Sequence, residues 1–308
     1  MLQYYAKKSF NEDPQLIKEA PMERAWIYGA KVTDEELTQL ADHYGLDMGI
    51  LRDVRDKHEL PRVEYSHGAA YVFIRAPRQN SRGSISTVPF LSIIKGTLLI
   101  TLSTKEYVKP VELFKATAVD MKSTKHVFLQ LVGHVVLEYQ EYIRNTGRYI
   151  RNTEQRLRTR EVGNKDFINF VTVEDELNEY STNLTALESL LVRLHENRHD
   201  LFVEKDCELI DDMILHVNQL LVATNSHLRT VDSIRNAYTT IGNNVLNQQM
   251  KKLTLLTLLV ALPNVFFGMY GMNVILPFAD QPWAYWAVTG FSVTLVAVIA
   301  LFIRKIRF

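Results

Sequence analysis

Two uncharged stretches near the C-terminus constrain this chain more than anything else in it. Leu253–Tyr270 runs for 18 residues and Trp283–Ile303 for 21 without an Asp, Glu, Lys, Arg or His. A helix of about 20 apolar residues crosses a hydrocarbon core ~30 Å thick, so both lengths fit a membrane span better than a buried core helix. Lys251 and Lys252 precede the first span, and Arg304, Lys305 and Arg307 follow the second. The connection between the spans has no Lys or Arg. By the positive-inside rule both termini are cytoplasmic and the connection, residues 271–282, faces outward. Trp283, Tyr285 and Trp286 sit where an interfacial aromatic belt belongs.

Composition sharpens this division. Lys+Arg and Asp+Glu are both 35, so net charge gives no argument for a nucleic-acid partner. The mean hydropathy of -0.08 averages two regimes. Residues 1–252 are charged throughout, whereas 253–303 hold Asp280 alone. Cys207 is the only cysteine, which excludes an intramolecular disulfide and suits a reducing compartment. The opening MLQYYAKKSFNEDP lacks the apolar core of a signal peptide, so the front of the chain is expected to stay in the cytoplasm.

Residues 1–120 read as a cytoplasmic α/β domain. Ala25–Val32, Ala69–Ala76 and Val88–Leu102 are β-branched and aromatic runs bounded by Gly, Pro and Ser, and are expected to be strands. Thr33 and Glu36 form a capping box ahead of Leu37, Leu40 and Ala41. From Ser123 the period becomes helical, giving a hairpin over 121–205 that breaks at Gly163-Asn164-Lys165. A third helix, over 206–270, meets no interruption before Pro263 except Gly242. Taken from Cys207 to Tyr270 it would be roughly 95 Å long, with a stalk below its membrane part, 253–270. A lone helix of that length needs neighbours, so an oligomer is expected. The second span is 283–303 and the basic tail 304–308.

Counting back from Gly271 in steps of three and four gives Gly268, Asn264, Ala261, Thr257, Thr254, Met250, Asn247, Asn243, Thr240, Asn236 and Ser233. In a coiled coil this row would be Leu or Ile; here it is small or polar into the membrane. Close helix packing accounts for Gly268 and Ala261. A ring of such helices around a hydrated axis accounts for the whole row, because polar groups at membrane depth are tolerated along water.

The corner Tyr270-Gly271-Met272-Asn273, between a Pro-containing first span and a second span ending in basic residues, resembles the CorA family of magnesium transporters. Met250-Lys251-Lys252-Leu253-Thr254 is similar to that family's entry into the membrane, and Leu60–Glu64 with Tyr71–Ile74 to its strand signature. The resemblance implies an α+β cytoplasmic domain, a long helical stalk and two transmembrane helices, assembled as a funnel-shaped homopentamer in the cell membrane. It implies a selectivity filter of Gly271, Met272 and Asn273, the last holding the hydrated ion. It further implies a pore lined by Gly268, Asn264, Ala261, Thr257, Thr254 and Asn247, with Leu253 and Met250 at a constriction. Lys251, Lys252, Arg304, Lys305 and Arg307 would form a basic collar, and Asp212, followed by His216, a regulatory metal site. No cofactor or enzyme activity is implied, only Mg²⁺ as the transported and regulatory ion.

The sequence departs from the family pattern in three places. Beyond the corner, Val274–Pro282 carries only Asp280, the loop Arg78–Gly83 lacks an acid to meet Asp212, and Asn236 stands where a carboxylate can occur. The depleted acids leave Zn²⁺, Co²⁺ or Ni²⁺ open as cargo, with or without proton coupling. A membrane-anchored coiled-coil scaffold is the rival from another class, and the polar seam argues against it.

Two further motifs are read as incidental. His195-Glu196-Asn197-Arg198-His199 spells H-E-x-x-H, which on a helix places two His on one face. It is taken as a chance match at a polar helix end. Arg144, Arg148, Arg151, Arg156, Arg158 and Arg160 are expected to pair with Glu174, Asp175, Glu176 and Glu179, rather than bind nucleic acid.

Overall fold

The computed structural model describes residues 2–6, 15–17, 21, 23, 25–79, 85–105, 123–158, 164–272 and 281–305. They form two compact units, Met1–Ile234 and Arg235–Phe308.

The first unit is built on a mixed sheet of seven strands: β1 (Leu2–Ala6), β2 (Gln15–Ile17), β3 (Ala25–Ala30), β4 (Arg62–Ser66), β5 (Ala69–Gln79), β6 (Ile85–Lys95) and β7 (Leu98–Ser103). Their order is β2-β1-β3-β7-β6-β5-β4, and every pairing is antiparallel except β3 with β7. Side chains alternate across such strands, and both faces are apolar here. Ala25, Ile27, Tyr71, Phe73, Leu91 and Ile100 face one core with the short helices α1 (Asp34–Tyr44) and α2 (Met48–Asp53). Trp26, Tyr28, Val72, Ile74, Phe90 and Leu99 face the other, against the long helices α3 (Thr124–Arg158) and α4 (Asn164–His195).

Helix α1 begins as its sequence requires: Glu36 N–H donates to Thr33 Oγ1 at 3.3 Å and Thr33 N–H to Glu36 Oε2 at 3.0 Å. The single strand expected over Val88–Leu102 is instead a hairpin, β6 and β7, closed by Gly96-Thr97 with Lys95 opposite Leu98. Gly96 takes φ +57°, the left-handed conformation that favours glycine. The apolar residues on both sides had hidden this turn.

The expected arginine pairing is corrected on two of its acids. Glu176 accepts from the Ile85 N–H at 2.7 Å and Glu179 from the Thr87 N–H at 2.8 Å, so α4 uses them to hold the start of β6. Burial pushes the Glu176 carboxyl above its ordinary range, and the Ile85 hydrogen bond opposes that rise. Arg148 bonds Asn145, and Arg156 Nη2 donates to Thr153 Oγ1 at 3.4 Å. Arg160 and the side chain of Arg158 lie outside the described residues.

Helix α5 (Glu204–Tyr270) is 67 residues long and passes through Pro263 without a break. The second unit holds its part from Arg235 on, together with α6 (Ala284–Lys305). These two helices are long and apolar enough to cross a membrane.

Candidate functional site

The site lies on the membrane part of α5, and its geometry follows from which side of that helix meets α6. Leu255, Leu259, Leu262, Pro263 and Phe266 are half-buried, while the rest of Lys251–Tyr270 is exposed. Phe266 meets Phe291 of α6 edge-on, with ring centroids 5.3 Å apart. At about 100° of rotation per residue, Thr254, Thr257, Ala261, Asn264 and Gly268 centre roughly half a turn away from that packed side. All five are exposed, as are Met250, Leu253 and Asn247 below them. The polar row therefore does not serve the contact between α5 and α6.

Gly268 makes the same point by volume. A Cβ there would meet nothing within 4 Å, so this helix pair does not need the residue to be small. Thr254 and Thr257 donate their hydroxyl hydrogens to the carbonyls of Met250 and Leu253, each at 2.9 Å. That leaves lone pairs on the outer side of both oxygens, ready to accept from water.

Helix α5 ends at the corner. Gly271 N–H bonds the Phe267 and Gly268 carbonyls at 3.0 and 3.2 Å, and Met272 N–H bonds that of Met269 at 3.3 Å. Met272 is more than half exposed. Asn273, Asp280 and the residues between them lie outside the described residues, so the structure places two of the three corner residues named from sequence. Of the basic collar, Lys251 and Lys252 are exposed on α5. Arg304 and Lys305 are in α6, but their side chains, and all of Arg307, lie outside the described residues.

Asp212 is exposed on α5 and lines a cavity of about 380 Å³ between α3 and α5, with His126, Gln130, His134, Met213 and His216. Among the described residues no group of three His, Cys, Asp or Glu side chains is placed to hold a metal. The loop expected to face Asp212 is described only through Arg78 and Gln79, at the end of β5.

The H-E-x-x-H residues do not share a helical face, because α4 ends at His195. Asn197 has φ +47°, and its side chain bonds the Phe202 N–H at 2.9 Å and the Phe202 carbonyl at 2.7 Å, tying the chain into a loop. His195 Nε2 lies 3.1 Å from Asp211, while the His199 ring stacks on Tyr65 at 3.8 Å. The motif is structural. Asn197, a residue that tolerates the left-handed region, was the signal in the sequence that a helix should stop there.

A family model described as CorA-like Mg²⁺ transporter protein matches residues 23–305. The chain belongs to the CorA family. Among curated relatives it is 26% identical over 292 residues to the cobalt/magnesium transport protein CorA of Methanocaldococcus jannaschii, covering 91% of this chain and 90% of that one. The fold is that of the complete CorA magnesium transporter structure from the same organism, with a TM-score of 0.87 at 21% identity over 100% and 98% of the two chains. The full-length CmaX protein shares the fold with a TM-score of 0.75 at 15% identity, over 97% of each chain. The α/β unit, the long helix α5 and the second apolar helix α6 are thus those of a membrane protein in a family of divalent-cation transporters.

Proposed function

We propose that this chain forms a homopentameric Mg²⁺ channel in the cell membrane, with α5 around the axis, α6 outside it and both termini cytoplasmic. The observation that carries this reading is the polar side of α5, which is turned about half a turn from α6 and stays exposed among the described residues. Mg²⁺ takes oxygen ligands and dehydrates reluctantly. A hydrated ion presents water hydrogens outward. Rings of Thr254, Thr257 and Asn264, and of Asn273 at the outer mouth, offer oxygens that accept from those waters without stripping the ion. Neutral acceptors hold the ion weakly enough to release it, as conduction demands. Leu253 and Met250, exposed on the same side, would form an apolar constriction at the cytoplasmic end, flanked by Lys251 and Lys252.

The test is flux into proteoliposomes with Mg²⁺, Co²⁺, Ni²⁺ and Zn²⁺ compared, each with and without a pH gradient. Mg²⁺ entry independent of the gradient supports the channel. Zn²⁺ entry driven by the gradient would replace it with a proton-coupled Zn²⁺ transporter of the same architecture. Asn273→Ala should abolish divalent entry while the oligomer still assembles, and unchanged Mg²⁺ entry in that variant removes the filter assignment.

A further inference from the structure

The contact between α3 and α5 contains an ionisable side chain to which ion transport gives no role. Along α5, Val217, Leu220, Thr224, His227, Val231 and Ile234 recur in steps of three and four, the seam of a helix pair. Five of the six are buried, and the imidazole of His227 is half-buried among them. The facing helix leaves room for it. A Cβ on Gly147 of α3 would lie 2.5 Å from Nε2 and 2.7 Å from Cε1 of His227, so the ring rests on bare backbone. Ile143 and Ile150, one turn to either side of Gly147, are buried. Arg151, one turn along α3, is the charged group that acts on the ring. Its neighbours one turn away on α5 are Ala223, Thr224, Thr230 and Val231, none of them ionisable.

We propose that His227 is an acid-operated latch in this seam. Neutral, it fills the notch over Gly147 and closes the last turns of the α3–α5 contact; protonated, it leaves the notch and those turns open. Burial, and then the positive charge of Arg151, hold the imidazole below its ordinary value. The closed seam therefore binds fewer protons than the open one. It is most stable above the ordinary histidine range, weakens as pH falls through that range, and stops weakening below the lowered value. The seam ends at Ile234, the last buried residue of α5, so opening it releases Val231 and Ile234 without unpacking the sheet. The latch does not depend on which ion is carried.

Hydrogen exchange of the full-length protein in lipid nanodiscs, in small steps from about pH 7.5 to about pH 5.5 and scaled for intrinsic rates, tests it. Protection over 143–151 and 224–234 should fall on acidification, by at most about tenfold per pH unit for one proton, while 177–194 of α4 stays unchanged. His227→Gln, close in volume and without a titration, should remove that response. Arg151→Gln, which leaves the ring in place, should move the midpoint to higher pH. An equal response in wild type and His227→Gln overturns the proposal, as does a midpoint that Arg151→Gln fails to move.

Discussion

In the proposed pore, Thr254 and Thr257 would serve a hydrated ion with one hydroxyl oxygen each. Each hydroxyl is already committed as a donor to its own helix, so toward the exposed side it can only accept. Valine keeps the branched shape and removes the acceptor. Thr257→Val is therefore expected to lower Mg²⁺ flux several-fold, on the order of one lost hydrogen bond of about 1 kcal/mol, with assembly intact. Flux and oligomer size on the same preparation check this. Gly147 carries the residue-scale argument in the first unit, where its missing Cβ is occupied by the His227 ring. Gly147→Ala gains up to about 1 kcal/mol in helix propensity. It also expels the ring or strains the seam, at about 1–3 kcal/mol, so a lower melting temperature is expected. His227→Ala in the same chain should restore it. At this scale the sequence was a good guide wherever the signal was local. The Thr33–Glu36 box stands as read, because it needs only its own turn. The notch at Gly147 was not legible, since its meaning depends on a residue 80 positions away.

At the scale of elements, α5 is one helix with two incompatible sides, and substitutions should separate them. Asn264→Leu places an apolar side chain on the row turned away from α6, and flux should fall with no loss of thermal stability. Phe266→Ala removes the edge-on contact with Phe291, an aromatic pair worth about 1 kcal/mol beyond its area. There the melting temperature should fall while the order of ion preference holds. If Asn264→Leu left flux intact, the polar row would be packing and nothing more. The length of α5 was readable because no strong breaker precedes Pro263, and the helix runs to Tyr270 as its uncharged run suggested. The β6–β7 hairpin was not, because Gly96 interrupts an otherwise apolar stretch for only two residues. Nor was the end of α4 inside the H-E-x-x-H run, where a motif at helical spacing masked a left-handed Asn197.

At the scale of the molecule, the proposed pentamer would link assembly and ion through charge. Five chains of 35.5 kDa would present five copies of Asp280, the sole carboxylate between 253 and 303. Native mass spectrometry of the detergent-solubilised protein should give a species of fivefold chain mass. Its absence, with only dimers present, would leave no closed axis for the polar rows. A ring of single carboxylates concentrates cations only within about a Debye length, ~8 Å at physiological salt. Asp280→Asn should therefore raise the Mg²⁺ concentration for half-maximal flux by less than about tenfold, and the difference should vanish at high salt. In the proposed filter, Asn273→Ala would act on the ion's own waters, and its effect should survive high salt. A salt titration of the two variants side by side separates attraction at the mouth from selection inside it. If Asp280→Asn abolished flux at every ionic strength, the carboxylate would have to touch the ion, and selection would lie beyond the Gly-Met-Asn corner.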